Sequence, residues 1–262
     1  MNSTVLKSIE SFPPLRESIN KINLICNNEN VDFKALACVI EADPILYTDI
    51  LHFCNAPHHG FSHTIISITQ VISLFGICAI RGMALTAALK AHPFSDLTAY
   101  GTTVNKWFKV MELQQRFLDL WLMKTHRPIL QSLGGLTFIL EIGRLVASYV
   151  LMFKEYSYCF SKYKPHELSL EEKNIIGQSG DELAAKLFKL WYFDDLLIDS
   201  LCYSLNPANG LNPEKCAILE CARTLFTLNS IEPFEKIETI LKEYDLPINE
   251  ALLAYETLLT EL

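Results

Sequence analysis

Histidine is the residue type in this chain that most readily binds a metal or carries a proton, so its spacing is considered first. Three of the seven histidines, His58, His59 and His63, lie close together in the sequence. No Asp or Glu lies between residues 55 and 63 to complete a metal site, and Asp49 is the nearest. A tightly bound divalent metal needs about three or four protein ligands. The three histidines therefore indicate a solvated loop at the end of a helix rather than a metal site.

Other motifs of enzyme active sites are missing from the sequence. The eight cysteines form no C-x-x-C pair, and neither the G-x-S-x-G motif of serine hydrolases nor a glycine-rich phosphate-binding loop is present. The adjacent acids Asp194 and Asp195 lie where a helix is predicted to begin. The positive end of the helix dipole stabilises carboxylates at that position. The residue types alone therefore predict no catalytic, cofactor-binding or metal-binding residue.

The composition limits the classes of partner. The 262 residues carry a formal net charge of −8, half of them are hydrophobic, and no run of basic residues occurs. Binding to nucleic acid or to an anionic membrane surface needs clustered Lys and Arg, so neither is expected. The scattered cysteines are interpreted as buried free thiols, and the N-terminus lacks the pattern of a signal peptide. Both features predict a cytoplasmic protein.

Two apolar stretches, Ile65–Leu89 and Ile129–Phe153, are long enough to raise the question of membrane insertion. The first contains Arg81, and the second contains Glu141 and Arg144. A charged side chain at the centre of a bilayer costs about 3 kcal/mol. We therefore predict that both stretches form buried helices of a folded core.

Helix start and stop signals follow one another along the chain. The Asp-Pro pair at 43–44 supplies a capping carboxylate and a proline for the first helical turn. Ser67 is placed as the N-cap of a helix that Gly76 would end. Ser169 and Glu172 have the spacing of a capping box, which predicts that another helix starts at Ser169.

The remaining patterns predict the fold class and its division. No alternation of apolar and polar residues is long enough to form a strand, so the predicted class is all-α. The chain is expected to form a single domain, 1–262, with an N-terminal helical lobe at 1–100 and a second helical lobe at 101–262. Pro, Ser, Asp and Gly collect at 92–101 and mark the boundary between them.

Five short sequence elements resemble the signature of the HDOD family in their order and spacing. They are Phe12-Pro13-Pro14-Leu15, Asp43-Pro44-Ile45-Leu46, Ile50-Leu51 leading to Asn55-Ala56, Ile65-Ile66-Ser67-Ile68, and Phe75-Gly76 in place of the usual Leu-Gly. This resemblance implies a multi-helix bacterial signalling protein in which an N-terminal lobe packs on a degenerate HD-like helical core. It also implies a partner of the kinds that HDOD modules accompany, which are receivers, cyclases and kinases.

The second half of the chain is similar to the core of the HD metal-dependent phosphohydrolases, but the metal ligands of those enzymes are replaced. In the similar stretch, 137–143, the metal-binding His falls on Leu140 and the Asp falls on Glu141. A further His falls near Gly180, and a later His pair falls near 204–205. Leu and Gly cannot coordinate a metal through their side chains. The resemblance therefore implies a core without a metal site and without catalysis.

Two places are the candidate surfaces for a ligand or a partner. One is the vacated HD pocket, where Glu141 and Arg144 lie three residues apart and are expected to pair with each other. The other is the turn that carries the side chains Asn55, His58, His59 and Phe61. The simpler interpretation of Asn55 is an amide that ends a helix and ties down the following loop.

The predicted function is non-catalytic signalling through protein–protein contacts, without a cofactor, nucleic acid or membrane insertion. The expected partner is a kinase, receiver or cyclase of a bacterial signalling pathway that acts in trans, and a ligand in the vacated HD pocket is compatible with this function. The alternative is a divergent metal-dependent phosphohydrolase that acts on a nucleotide or cyclic dinucleotide. A sensor of a small molecule or nucleotide is a third hypothesis, and the sequence does not separate it from an adaptor.

Overall fold

The computed structural model describes residues 16–28, 30–56, 61–90, 96–122, 126–153 and 160–262. These residues form thirteen α-helices. In the same ranges no strand is present, and one isolated bridge joins Phe226 to Ile231. The prediction of an all-α fold is confirmed. The division into lobes at 1–100 and 101–262 stays a prediction.

Helices and short 3₁₀ turns follow one another along the described ranges. The first seven helices are α1 (Glu17–Cys26), α2 (Phe33–Glu41), α3 (Pro44–Cys54), α4 (Ile68–Lys90), α5 (Val104–Leu122), α6 (Arg127–Ser132) and α7 (Ile142–Phe153). The other six are α8 (Pro165–Ile176), α9 (Gly180–Leu190), α10 (Asp195–Cys202), α11 (Pro213–Leu225), α12 (Glu238–Glu243) and α13 (Ile248–Glu261). The 3₁₀ turns are Thr98–Tyr100, Gly134–Phe138, Pro207–Asn209 and Phe234–Lys236.

Local capping explains where α3 and α4 start. The Asp43 carboxylate accepts a hydrogen bond from the Leu46 N–H at 3.1 Å, and Pro44 lies in the first turn of α3. The Ser67 hydroxyl accepts a hydrogen bond from the Gln70 N–H at 3.3 Å at the start of α4. Both predicted helix starts are confirmed. They could be predicted because an N-cap side chain bonds N–H groups only two or three residues ahead.

Helix α4 is broken at Gly76, as its sequence predicts. Gly76 has a φ of 82°, a left-handed conformation that glycine adopts at little steric cost. The segments Ile68–Ile77 and Ala79–Leu89 are bent by 106° relative to each other, and the second is largely buried. In the ranges described above, no single helix has the length and apolar character needed to cross a bilayer. The two segments of α4 meet that criterion only when they are counted together.

The structure divides the predicted helical stretch Ile129–Phe153 into separate parts. Helix α6 is followed by the 3₁₀ turn Gly134–Phe138, and α7 starts only at Ile142. Two adjacent glycines open this turn, and glycine disfavours a continuous helix because it loses the most backbone freedom on folding. Glu141 therefore lies in the turn before α7 and not within a helix. The side chain is buried there nevertheless.

The helix start predicted at Ser169 is wrong. Helix α8 begins at Pro165, in keeping with the preference of proline for the first helical turn. Glu172 is fully buried and does not cap its own helix, α8. The capping box lies at the next helix, α9, where the Ser179 hydroxyl accepts from the Glu182 N–H at 3.2 Å. In return, the Glu182 carboxylate accepts from the Ser179 N–H at 3.0 Å.

Helix α5 connects early and late parts of the chain within one hydrophobic core. It packs against the 134–138 turn, α11 and α13. Both of its tryptophans donate their indole N–H to a backbone carbonyl, Trp107 to Glu141 at 2.9 Å and Trp121 to Pro247 at 3.1 Å. Because Trp107 is buried, this hydrogen bond helps to hold the turn that carries Glu141.

Candidate functional site

Five ionisable side chains meet in the interior at the place predicted for the vacated HD pocket. They are Glu141, Arg144, Glu172, Asp181 and Arg223, and each is at most 6% exposed. The turn before α7, α7 itself, α8, α9 and α11 supply one residue each. Buried charges are costly unless they are paired, so the contacts among these five decide whether they stabilise the fold. The five residues are termed the ion-pair cluster.

Arg144 joins three carboxylates of the cluster, of which Asp181 is the most distant, with its Oδ1 4.0 Å from Nη1. Its Nη1 lies 3.0 Å and 2.9 Å from the two carboxylate oxygens of Glu172. Its Nε lies 3.6 Å from Oε2 of Glu141, so the ion pair predicted between these neighbours is present but long. Glu172, which the sequence did not indicate as a partner, therefore binds Arg144 more closely than Glu141 does.

Arg223 makes the denser set of contacts. Its Nη1 and Nη2 each lie 3.1 Å from one carboxylate oxygen of Asp181, which makes this pair bidentate. Its Nε donates to Glu141 at 3.0 Å, and Nη1 also donates to the Ser204 hydroxyl at 2.7 Å. The planar fork of a guanidinium suits this geometry, and a lysine could not reproduce it.

Glu172 accepts hydrogen bonds from two further groups. The Tyr100 hydroxyl donates at 2.8 Å and the Gly180 N–H donates at 2.6 Å. The Gly180 N–H belongs to the first turn of α9, so the carboxylate also satisfies one of the free donors of a helix start. Glu172, Asp181 and Arg223 were missed in the sequence. Glu172 has the spacing of a local cap, and that spacing hid its contact with Arg144.

The pKa values in the cluster follow from burial and from the nearest guanidinium. Burial raises the pKa of Asp181, but Arg223 and Arg144 outweigh burial and hold this pKa below its usual value. Burial raises the pKa of Glu172 above its usual value, and Arg144 and the Gly180 N–H oppose the rise only in part. Asp181 therefore remains ionised at neutral pH and needs its arginine partners.

The positions similar to HD metal ligands converge on the cluster but supply no ligand set. Leu140 is buried and apolar, and Ser204 bonds a guanidinium. Gly180 packs directly on Gly143, where an added Cβ would lie 2.5 Å from the Gly180 carbonyl oxygen. A Cβ on Gly180 would lie 2.6 Å from Nη1 of Arg144, so no side chain fits there. Within the described part of the chain, no three His, Cys, Asp or Glu side chains are grouped to hold a metal ion.

A cleft of about 510 Å³ opens beside the ion-pair cluster. Its floor includes three buried cluster residues, Glu141, Arg144 and Arg223. Its rim carries the exposed side chains Lys162, Lys164, His166 and Lys236. The candidates Glu141 and Arg144 thus line an opening in the surface and also belong to the buried ion-pair cluster. The opening is termed the cluster cleft.

The second candidate surface, the turn after α3, is anchored by Asn55. The Asn55 amide donates to the carbonyl of Leu51 at 2.9 Å and to the carbonyl of Ile65 at 2.8 Å. Its side-chain oxygen accepts from the Ile65 N–H at 2.8 Å. The side chain therefore ends α3 and ties the far end of the loop to it, which agrees with the simpler interpretation of this residue.

Replacing Asn55 by alanine is expected to lower the free energy of unfolding by about 1–3 kcal/mol, because the N–H of the buried Ile65 loses its acceptor. Urea unfolding followed by circular dichroism measures the change. Asn28→Ala is the matched control, since the Asn28 side chain accepts from the Asn30 N–H at 3.2 Å in an exposed turn. There we expect a change within about 0.5 kcal/mol. Equal losses in the two variants would contradict the anchoring role.

The other candidates of this turn are placed only in part. Phe61 is 43% exposed and packs edge-on against Phe75, with 5.8 Å between the ring centroids. His58 and His59 lie outside the described residues. Phe61 lines a groove with side chains of α4, α5 and α13, whereas Glu141 lines the cluster cleft. The two candidate surfaces are therefore separate.

Solved structures with the same architecture come from several bacteria. An HDOD domain protein of unknown function from Geobacter sulfurreducens has a TM-score of 0.60 at 14% identity, covering 98% of this chain and 95% of that one. A protein from Marinobacter aquaeolei, provisionally named a signal transduction protein, has a TM-score of 0.67 at 18% identity, covering 98% and 62%. A provisionally named phosphohydrolase from Shewanella amazonensis has a TM-score of 0.63 at 17% identity, covering 97% and 94%. At these identities the similarity shows the fold alone.

The sequence itself identifies the N-terminal part. No curated protein matches the chain. The family model of the HDOD domain matches residues 12–112, which include all five sequence elements that resemble the family and the first part of α5. The resemblance stated from the sequence is confirmed. The chain therefore carries an HDOD domain at residues 12–112.

Proposed function

We propose that this chain is a non-catalytic, cytoplasmic signalling protein that acts through protein–protein contacts. Its partner is a kinase, receiver or cyclase of a bacterial signalling pathway, and the two associate in trans. The HDOD domain and the similarity to a protein provisionally named for signal transduction support the pathway class. The bidentate pair between Arg223 and Asp181 is the observation that carries the non-catalytic part of the proposal.

The ion-pair cluster supports a function without metal catalysis. Metal-dependent hydrolysis needs an ion held by several His and Asp ligands, so that the ion can activate a water molecule. Here the guanidinium groups of Arg144 and Arg223 hold the three buried carboxylates instead. A metal that took these carboxylates would leave two guanidinium groups buried without a counter-charge, which costs several kcal/mol.

Exposed apolar side chains support a function in protein–protein contact. Phe61, Leu74 and Leu253 are 43%, 43% and 65% exposed, and they line one groove of about 570 Å³. Exposed apolar surface that is concentrated in one place is typical of interaction sites. Arg127 and Glu250 add charged groups to the same groove, as polar residues do at the rim of many interfaces.

Affinity capture of the tagged chain from its host tests the partner class. We expect repeated capture of a kinase, receiver or cyclase, identified by mass spectrometry. The variant Phe61→Ser/Leu253→Ser should lose this protein. The control Leu170→Ser/Leu211→Ser should keep it, since both leucines are exposed, at 63% and 74%, and lie outside the groove. Capture of none of these classes, or equal capture by the two variants, would contradict the proposal.

Metal analysis and phosphohydrolase assays of the purified protein test the non-catalytic part. We expect no stoichiometric metal and no hydrolysis of bis(p-nitrophenyl) phosphate, nucleotides or cyclic dinucleotides with added Mn²⁺. The competing function is a metal-dependent phosphohydrolase, for which the Shewanella protein is provisionally named. One equivalent of bound metal, together with turnover that Glu141→Gln abolishes, would establish that function instead.

A further inference from the structure

Positively charged side chains outnumber carboxylates on the surface of the cluster cleft. Five cationic side chains line it, Arg144, Lys162, Lys164, Arg223 and Lys236, together with the three carboxylates Glu141, Glu220 and Glu232. The sign is opposite to that of the whole chain, which carries a formal net charge of −8. Because Glu141, Glu172 and Asp181 balance the two guanidinium groups, what remains at the rim is three lysines against the two carboxylates Glu220 and Glu232.

The three rim lysines are available to an incoming anion. Lys162, Lys164 and Lys236 are exposed, and none of them forms an ion pair with a carboxylate among the residues that the structure describes. The Lys162 ammonium lies 5.0 Å from the centre of the Tyr163 ring, a cation–π contact that brings no negative charge to it. Glu220 is already engaged at 3.1 Å by His166. A ligand with an anionic group would therefore meet three cations at the entrance.

The guanidinium of Arg144, which lines the floor of the cleft, has one donor that lacks an acceptor in the described part of the chain. The Nε of Arg144 is buried and, within the described residues, has no hydrogen-bond partner. The nearest carboxylate oxygen, on Glu141, is 3.6 Å away and too far for a good hydrogen bond. Because this atom has almost no exposed surface, it is not open to a ligand in the cleft, and its unmet hydrogen bond is a cost to the folded state.

Apolar and aromatic side chains complete the walls. Phe160 stacks on Tyr100 at 5.1 Å between the ring centroids, and Leu168 and Leu228 line the same opening. The volume of about 510 Å³ is typical of sites that hold small organic molecules, which lie between roughly 300 and 1,000 Å³. The combination of cationic rim and apolar wall selects a ligand with an anionic end and an apolar body.

We propose that the cluster cleft binds a small organic anion. Its phosphate or carboxylate group lies among Lys162, Lys164 and Lys236, and its apolar part lies against Leu168 and Leu228. The site rests on the proposed non-catalytic function, because a ligand that is bound without being converted can serve as a signal.

Thermal unfolding and isothermal titration calorimetry of the full chain test the site with four probes. AMP and indole-3-acetate carry the two kinds of anionic group, and adenosine and tryptophol are their neutral counterparts. We expect at least one anion to raise the melting temperature saturably, with an affinity that falls as salt is added, and we expect no rise with its neutral counterpart. The absence of a saturable rise with both anions, or equal rises with the neutral probes, would overturn the proposal.

Variants of the exposed rim locate the bound anion. Lys162→Gln/Lys164→Gln/Lys236→Gln should weaken binding of the effective anion at least about tenfold, since charge-assisted contacts are lost. The control variant is Lys34→Gln/Lys106→Gln/Lys189→Gln, which removes three exposed lysines outside the cleft and should leave the affinity unchanged. Equal affinity in the two variants would overturn the location. Because ligand binding is measured without a partner protein, this site and the proposed partner contact can fail independently.

Discussion

Replacing Arg223 by methionine is expected to lower the free energy of unfolding by about 3–5 kcal/mol. The change removes the guanidinium that neutralises Asp181 and Glu141, which are 3% and 6% exposed. Methionine keeps much of the apolar volume of the side chain. The decrease in the free energy of unfolding therefore reflects the missing charge more than a cavity. Urea unfolding followed by circular dichroism at pH 7 measures the effect.

Arg116→Met is the matched control for Arg223→Met. Arg116 pairs with Glu261 at 2.9 Å, but the two side chains are 18% and 33% exposed. Exposed ion pairs contribute about 0–1 kcal/mol, so we expect a loss below about 1 kcal/mol. Equal losses in the two variants would show that the buried pair adds nothing beyond a surface pair.

The destabilisation by Arg223→Met should also shrink as the pH falls from 7 to 4. In the wild type the pKa of Asp181 lies below its usual value, so the ionised carboxylate stabilises the fold at neutral pH. This contribution is lost only as the pH falls through that lowered pKa. Without Arg223, burial raises the pKa of Asp181, and at low pH the carboxyl takes up a proton and no longer needs a counter-charge. If the destabilisation by Arg223→Met is the same at pH 7 and pH 4, this account is contradicted.

Replacing Asp119 by asparagine is expected to raise the free energy of unfolding by about 2–4 kcal/mol at pH 8. Asp119 is 8% exposed in α5, and burial raises its pKa to about 7, against the smaller opposing effects of Gln115 and Arg116. The Gln115 amide donates to the Asp119 carboxylate at 2.6 Å. The side-chain oxygen of asparagine can accept the same hydrogen bond without bringing a buried charge.

The pH dependence of this gain follows from the raised pKa. The folded state holds the proton of Asp119 up to about pH 7, whereas the unfolded chain releases it near pH 4. The contribution of Asp119 to the stability of the wild type therefore falls between pH 4 and pH 7 and is constant above. The advantage of Asp119→Asn should be near zero at pH 4 and complete at pH 8.

Urea unfolding at pH 4.5, 6 and 8 measures the effect of Asp119→Asn. The control is Asp49→Asn, in an exposed position of α3, where we expect a change within about 0.5 kcal/mol at each pH. If Asp119→Asn is no more stable than the wild type at pH 8, Asp119 does not carry a buried charge in the folded chain.

Several features of the fold could be predicted because their causes are local. Asp43 and Ser67 bond N–H groups three residues ahead, and Gly76 breaks α4 through its own backbone conformation. The start predicted at Ser169 failed for the opposite reason. The Ser-x-x-Glu spacing is present there, but the burial of Glu172 against distant residues overrides it.

The candidate site could be predicted only in part. The resemblance to the HD core indicated Glu141 and Arg144, and the structure places both in the ion-pair cluster. The resemblance did not indicate the other three members of the cluster, because their partners are far away in the sequence. The pair from Arg144 to Glu172 spans 28 residues. The pairs from Arg223 to Asp181 and to Glu141 span 42 and 82 residues. No periodic pattern marks contacts at such separations.

The sequence by itself determined the helical class, the helix starts at Asp43 and Ser67, and the HDOD elements at 12–112. The tertiary structure alone decided that arginines neutralise the buried carboxylates and that three lysines border one cleft beside them. The physical reason is the range over which each cause acts. A cap acts within three residues, whereas the state of a buried charge depends on which distant side chain reaches it once the helices have packed.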